Sequence, residues 1–308
     1  MKPIRTAFAL AITAASALIG PATLAQQAHP TPQPVEAVPA QPLARPALWK
    51  VSDEDTTIYL FGTIHLLPKG VEWYDGKVAD AFERSQELVT EIPEIPQQRT
   101  MSVTMQLGAL PAGQTLRETM TADERAKFEA ALQGLKVPVG AFDTMKPWLA
   151  SVALATIPLM QAGYSLDNGV EAQLDQRNKA LGRPRLGLET LEYQLGIFDG
   201  LSPDAQKTYL FETIAALPDF PKEIDKMVSA WSKGDAQSLA KLLNEGMEDP
   251  ALYKALLTDR NRNWSAWIDN RLDRPGTVFI AVGAGHLGGK DSVQEFLGQA
   301  GIKVERVQ

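Results

Sequence analysis

Thr57-Ile58-Tyr59-Leu60-Phe61-Gly62-Thr63-Ile64-His65 lies near the start of the chain, and Thr277-Val278-Phe279-Ile280-Ala281-Val282-Gly283-Ala284-Gly285-His286 lies near its end. Each is an apolar, β-favouring run that breaks at a glycine and presents a histidine three residues on. A short continuous apolar run bounded by glycine reads as a buried strand of a parallel sheet. Side chains just past the carboxyl ends of such strands build the sites of open α/β sheets. These are two of the three histidines in the chain. A lone histidine after a strand reads as well as a capping or hydrogen-bonding residue. Repetition of both spacing and context points instead to a shared metal or catalytic centre.

Working outward, Leu48 to Val51, an acidic turn at Ser52–Asp55 and Thr57–Phe61 read as a β-hairpin. A helix is expected over Lys77–Gln86, then a strand over Glu87–Ile92 that Pro93 stops. Thr121, with Glu124 three residues on, caps a helix to Leu132. Further helices are expected at 146–160, 166–181, 190–198, 203–216, 221–233, 235–246 and 250–272. Arg185–Leu188 reads as a short strand ending at Glu189. The strand at 277–282, a helix at 291–299 and a strand at 303–307 close the chain. The expected fold is therefore α/β: a central β-sheet built from N- and C-terminal strands, with a large helical insert between them.

His65, Glu91, Glu189 and His286 all fall just past expected strand ends. If those strands run parallel, the four side chains emerge at one sheet edge. Two imidazoles with one or two carboxylates are ligands suited to Zn²⁺, Mn²⁺, Co²⁺ or Fe²⁺. Gly62 and Gly283 are read as supplying backbone conformations closed to other residues and a close ligand approach. Glu91 reads equally as a surface carboxylate, and Glu189 as the first-turn acid of the next helix. On the helix 250–272, Arg260 shares a face with Leu256, Trp264 and Trp267. A guanidinium inside an apolar stripe needs a carboxylate or an anionic ligand, so a structural ion pair is the competing reading. Asn261 beside it can donate and accept.

The N-terminus reads as a secretory signal over residues 1–25: Lys2 and Arg5 precede an apolar stretch from Ala7 to Ile19, with cleavage expected after Ala25. Residues 26–46, rich in Pro, Ala and Gln, read as a flexible linker, and His29 within it as incidental. Residues 47–308 form the expected domain. There is no cysteine, which excludes disulfides, thiolate ligands and a cysteine-linked lipid anchor. A net charge of −7 without a basic stripe argues against a nucleic-acid partner. No segment after the leader is long and apolar enough to span a membrane, so a periplasmic or secreted chain is expected. Gly-x-Ser-x-Gly, a P-loop and a dinucleotide fingerprint in its proper context are absent.

Leu48-Trp49-Lys50-Val51, Tyr59-Leu60-Phe61-Gly62-Thr63-Ile64-His65 and Val282-Gly283-Ala284-Gly285-His286-Leu287 together resemble the TraB/GumN family. That family includes Tiki-type membrane-tethered metalloproteases and bacterial pheromone-shutdown proteins. The chain is more distantly similar to the erythromycin esterase and ChaN-like group. Leu88-Val89-Thr90-Glu91, Gly187-Leu188-Glu189-Thr190 and Asp259-Arg260-Asn261 match further family segments. The resemblance implies a divalent-metal hydrolase, with Mn²⁺ or Co²⁺ favoured and Zn²⁺ or Fe²⁺ compatible.

The function expected is an exported metal-dependent peptidase acting on a peptide or small-molecule substrate. In it His65, His286 and Glu91 hold the metal, Glu189 or Glu91 serves as general base, Arg260 stabilises developing negative charge and Asn261 supports by hydrogen bonding. The alternative is a non-catalytic periplasmic protein that binds a metal, haem or a peptide on the same scaffold.

Overall fold

The computed structural model describes residues 43–244, 247 and 249–308. The expected signal segment, nearly all of the linker and the last two residues of the helix expected at 235–246 lie outside the described residues. The final linker residues are part of the domain: Ala44 is buried and its N–H donates to Glu72 O, while Arg45 N–H donates to Ser232 O.

The expected hairpin is β1 (Leu48–Ser52) and β2 (Thr56–Thr63), followed by a short β3 (Leu67–Pro68). Then come α1 (Gly76–Arg84), β4 (Glu87–Thr90), α2 (Gln97–Gly108), α3 (Ala122–Gly134) and α4 (Pro147–Gln161). β5 (Tyr164–Ser165), α5 (Val170–Ala180) and β6 (Arg185–Gly187) lead to α6 (Leu191–Asp199), α7 (Pro203–Ala216), α8 (Phe220–Ser232) and α9 (Ala236–Asn244). The last helical run is α10 (Pro250–Tyr253), a π-helical segment (Lys254–Thr258) and α11 (Asp259–Leu272). β7 (Gly276–Gly283), α12 (Val293–Gln299) and β8 (Glu305–Arg306) complete the chain.

The sheet has six strands in the order β6-β4-β7-β2-β1-β8. β6, β4, β7 and β2 are mutually parallel, whereas β1 and β8 are antiparallel additions at one side. Thr63 lies opposite Gly283 in the β2–β7 ladder, so the two glycine–histidine turns leave the sheet side by side. Both faces are covered, as the near-continuous apolar strands require. Phe61 and Phe279 on one face pack with Trp73, Phe82 and Trp231. Ile58, Leu60, Val278 and Ile280 on the other meet Trp264 and Ile268 of α11 and Leu297 of α12.

Several boundaries differ from the sequence reading. The helix expected at 166–181 runs from Val170 to Ala180, because residues 166–169 form the turn that leads out of the Tyr164–Ser165 pairing with β3. The strand expected at 87–92 ends at Thr90, and the closing strand pairs only at Glu305–Arg306. α12 starts at Val293, capped by the Ser292 hydroxyl. α2 was not anticipated: its Thr, Ser and Val content gives weak helical periodicity, and Pro96 at its N-cap reads as a break. α3 carries the expected Thr121–Glu124 capping box. Among the described residues no helix is long and apolar enough to cross a membrane.

Candidate active site

The four parallel strands end at a common edge, and the residues past their ends are Glu189 after β6, Glu91 after β4, His286 after β7 and His65 after β2. The β4–β6 pairing continues beyond the strands, with Leu188 N–H donating to Thr90 O and Glu189 N–H to Glu91 O at 2.8 Å. This holds the two glutamates side by side. Gly62 and Gly283 do not supply the unusual conformation expected of them, since neither has a positive φ. Their role is space: a Cβ on Gly283 would lie 3.1 Å from Glu91 Oε1, and one on Gly62 would lie 3.0 Å from the Ala284 Cβ.

Arg260 is the hub of the site. It is 1 % exposed, and every donor group is spent. Its Nη2 donates to Glu91 Oε2 at 2.7 Å, its Nε to Glu189 Oε1 at 2.9 Å, and its Nη1 to Leu256 O at 3.1 Å within the π-helical segment. The guanidinium also stacks 4.8 Å over the Trp264 ring. Trp264 Nε1 donates to Glu189 Oε1, and Gln194 Nε2 bridges Glu91 Oε2 and Glu189 Oε2. Glu91 Oε1 accepts the Gly283 N–H at 2.8 Å. Burial alone would raise the Glu91 pKa, but the Arg260 charge, helped by the histidines and the Gly283 N–H, pulls it down to about 2.

His286 is fixed by Asn261. The Asn261 amide nitrogen donates to Asp291 O at 2.7 Å, so its oxygen faces the ring, and His286 Nδ1 lies 2.6 Å from that oxygen. The proton therefore sits on Nδ1, and Nε2 accepts from Arg260 Nη1 at 3.2 Å and lies 3.9 Å from Glu91 Oε1. Trp264 covers the ring at 4.4 Å between centroids. Burial and then the Arg260 charge push the His286 pKa down to about 3, so the ring is neutral.

His65 has a partner that the sequence reading missed. Its Nδ1 lies 2.6 Å from Glu171 Oε1, on the first turn of α5. The N–H is not squarely aimed at the oxygen, so the contact is electrostatic more than directional. The Thr63 hydroxyl donates to the same Glu171 oxygen. Burial opposes charge on His65, but the Glu171 charge and contact outweigh it and the pKa is raised above the ordinary 6.5.

His65 and Glu91 stand where two lobes of a cleft meet. One lobe, a cavity of about 50 Å³, runs over His286 and Gly283–Gly285 and is otherwise largely apolar, with Ile224, Met227, Leu239, Leu243 and Leu256 in its wall. The other, about 250 Å³, carries more polar side chains, Glu171, Asp175, Arg185, Gln194 and Thr90 among them. Glu189, Arg260 and Asn261 line neither lobe; they stand behind Glu91 and His286 as support. Of the residues missed, Gln194 carries no signal beyond helix α6, and Glu171 only a first-turn acid after Gly169.

The donor set is of a type that suits a divalent cation, and His286 Nε2 would exchange its bond from Arg260 Nη1 for the ion. Both imidazoles have Nδ1 engaged by an oxygen that is itself anchored, the arrangement that orients histidine ligands. Among the described residues, no three His, Asp or Glu side chains stand close enough to enclose an ion as placed.

No solved structure matches this chain. It is similar to the uncharacterized protein YbaP of Escherichia coli (strain K12), 26% identical over 188 residues covering 61% of this chain and 70% of that protein. The same protein name in Shigella flexneri carries the same identity and coverage. An uncharacterized protein of Treponema pallidum (strain Nichols) is 22% identical over 266 residues, 81% of this chain and 79% of its own. The profile of the TraB/PrgY/gumN family matches residues 47–306, an interval that takes in both Gly-x-x-His turns, and the chain belongs to that family.

Proposed function

We propose that the chain is an exported, divalent-metal-dependent hydrolase that acts on peptide bonds in the cleft between His65 and His286. The observation that carries this reading is the matched treatment of the two histidines. Each ends a neighbouring parallel strand, and each has Nδ1 tied to an anchored oxygen, Glu171 or Asn261. His65, His286 and Glu91 would hold the ion, Mn²⁺ or Co²⁺ by preference. When bound, such an ion polarises a carbonyl and acidifies water.

The chain's own residues prepare that setting. Arg260 and the Gly283 N–H keep Glu91 ionised, which suits it to bind a cation and makes it a weak base. Glu189 is spent on Arg260 and Trp264, so it orients the guanidinium instead of accepting a substrate proton. Asn261 holds the His286 proton at Nδ1. Apolar side chains wall the lobe beside His286, and the other lobe offers hydrogen-bonding groups to an extended substrate.

The test is metal content and peptide hydrolysis, with added Mn²⁺ or Co²⁺, of the parent beside the His65→Ala/His286→Ala double variant. Metal and turnover in the parent, both lost in the variant, are expected. Equal metal and equal turnover in the two would overturn the assignment. The proximity of Arg260 Nη1 to His286 Nε2 favours a second reading, ligand binding without turnover. Stoichiometric metal or peptide uptake with no cleavage across a peptide panel would select it.

A further inference from the structure

We infer that Glu171 is the positioning residue of His65, so that the helical insert completes the site that the sheet begins. The inference rests on the proposed role of His65 as a metal donor.

Four observations converge on it. Glu171 Oε1 is 2.6 Å from His65 Nδ1. The Thr63 hydroxyl, two residues before His65, donates to the same oxygen and so anchors it. The start of α5 is bolted to the histidine turn, with Val170 N–H donating to Ile64 O at 3.1 Å. Gly169 backs onto the His65 carbonyl so closely that a Cβ there would lie 2.0 Å from the oxygen. An ion pair that merely tied the insert to the sheet would need none of this registration at His65. It would also not repeat, on the other histidine, the arrangement of Asn261 and Asp291.

A carboxylate beside Nδ1 favours the proton on that nitrogen and strengthens Nε2 as a donor. Loss of such an outer partner commonly weakens metal binding 10- to 100-fold. Glu171 belongs to the polar lobe together with His65, and its Oε2 is buried without a hydrogen-bond partner. Its attachment to the site therefore runs through Oε1, to His65 and Thr63. The other charges acting on His65 are Glu91 and, opposing it, Arg260. Both are fixed in their own network and remain in place when Glu171 is changed.

The experiment has two arms on the full chain, produced without a histidine tag. In the first, Co²⁺ is titrated by its visible absorption into the parent, Glu171→Ala and Glu171→Asp, with Lys146→Met, which removes a bridge to Asp199 away from the cleft, as a stability control. Glu171→Ala is expected to weaken Co²⁺ binding roughly 10- to 100-fold. Glu171→Asp should recover part of that loss, and Lys146→Met should show none. In the second arm, ¹⁵N shifts of the metal-free protein at alkaline pH report the His65 tautomer, identified by the resonance missing in His65→Gln. The parent should carry the proton on Nδ1, and Glu171→Ala should move it toward Nε2. Unchanged affinity and an unchanged tautomer in Glu171→Ala would overturn the inference. If the parent takes up no Co²⁺, the metal reading fails, while the tautomer arm still decides the role of Glu171.

Discussion

His286 and Asn261 form a directed pair. The Asn261 amide is oriented by its donation to the Asp291 carbonyl, and its oxygen then receives the His286 Nδ1 proton at 2.6 Å. Asp291 adopts a left-handed conformation, φ 56°, to offer that carbonyl. The proton on a buried imidazole is thereby set by a loop that precedes α12.

Asn261→Leu should leave the ring N–H without an acceptor in a dry site. The cost of an unsatisfied buried donor is about 1–3 kcal/mol, measurable in urea unfolding. Asn261→Asp should behave differently: the acceptor is retained and the added negative charge should raise the His286 pKa, seen as a ¹⁵N titration moving toward neutrality.

Arg260 is the most consequential single side chain. Arg260→Met should strand Glu91 and Glu189 without their counter-charge and cost about 3–5 kcal/mol. Arg260→Lys should recover little of it, because one ammonium cannot reach Glu91, Glu189 and the Leu256 carbonyl in the directions that the planar fork does. Equal urea midpoints for Lys and Arg would contradict the bidentate account.

Acid stability follows from the same network in the metal-free protein. His286 is depressed from 6.5 to about 3, and Glu91 from 4.5 to about 2. Each takes up a proton more readily unfolded than folded. The stability from His286 is thus complete above pH 6.5 and lost as pH falls through that value toward 3; that from Glu91 is complete above 4.5 and lost toward 2. His65 has the opposite sign: its raised pKa adds stability that is full below 6.5 and lost as pH rises through the folded value. The unfolding free energy should therefore drop between about pH 6 and about pH 3, and Glu91→Gln should remove part of that slope, on the order of 3 kcal/mol at most. A variant as acid-sensitive as the parent would place the titration elsewhere.

The edge of the sheet was legible because its signals are local. An apolar run that ends in glycine and then histidine states both the strand and its carboxyl end, and the two runs proved to be adjacent parallel strands with Thr63 opposite Gly283. Arg260 was legible as a charge inside an apolar stripe, which demanded a carboxylate or an anionic ligand; the structure pairs it with Glu91 and Glu189. Glu171 was not legible. Its partnership with His65 depends on where α5 docks, and docking is set by Gly169 packing on a carbonyl distant in sequence. The π-helical segment escaped as well, since periodicity reads 250–272 as one α-helix and does not register the extra residue in the turn.

The glycines give the sharpest steric test. Gly169→Ala would bring a Cβ to 2.0 Å from His65 O, a backbone atom that cannot rotate away, so the start of α5 must shift and the chain should lose about 3 kcal/mol or more. Gly283→Ala is milder in stability, with its Cβ 3.1 Å from Glu91 Oε1 and 3.5 Å from His286 Cδ2. It presses on the two side chains that flank the cleft, so Co²⁺ binding should weaken while the unfolding free energy in urea falls by about 1 kcal/mol. Gly196→Ala, which meets nothing within 4 Å on α6, should be neutral or slightly stabilising through a higher helix propensity. A Gly283→Ala protein that matched Gly196→Ala in Co²⁺ affinity would mean that the contact between Gly283 and Glu91 does not shape the site.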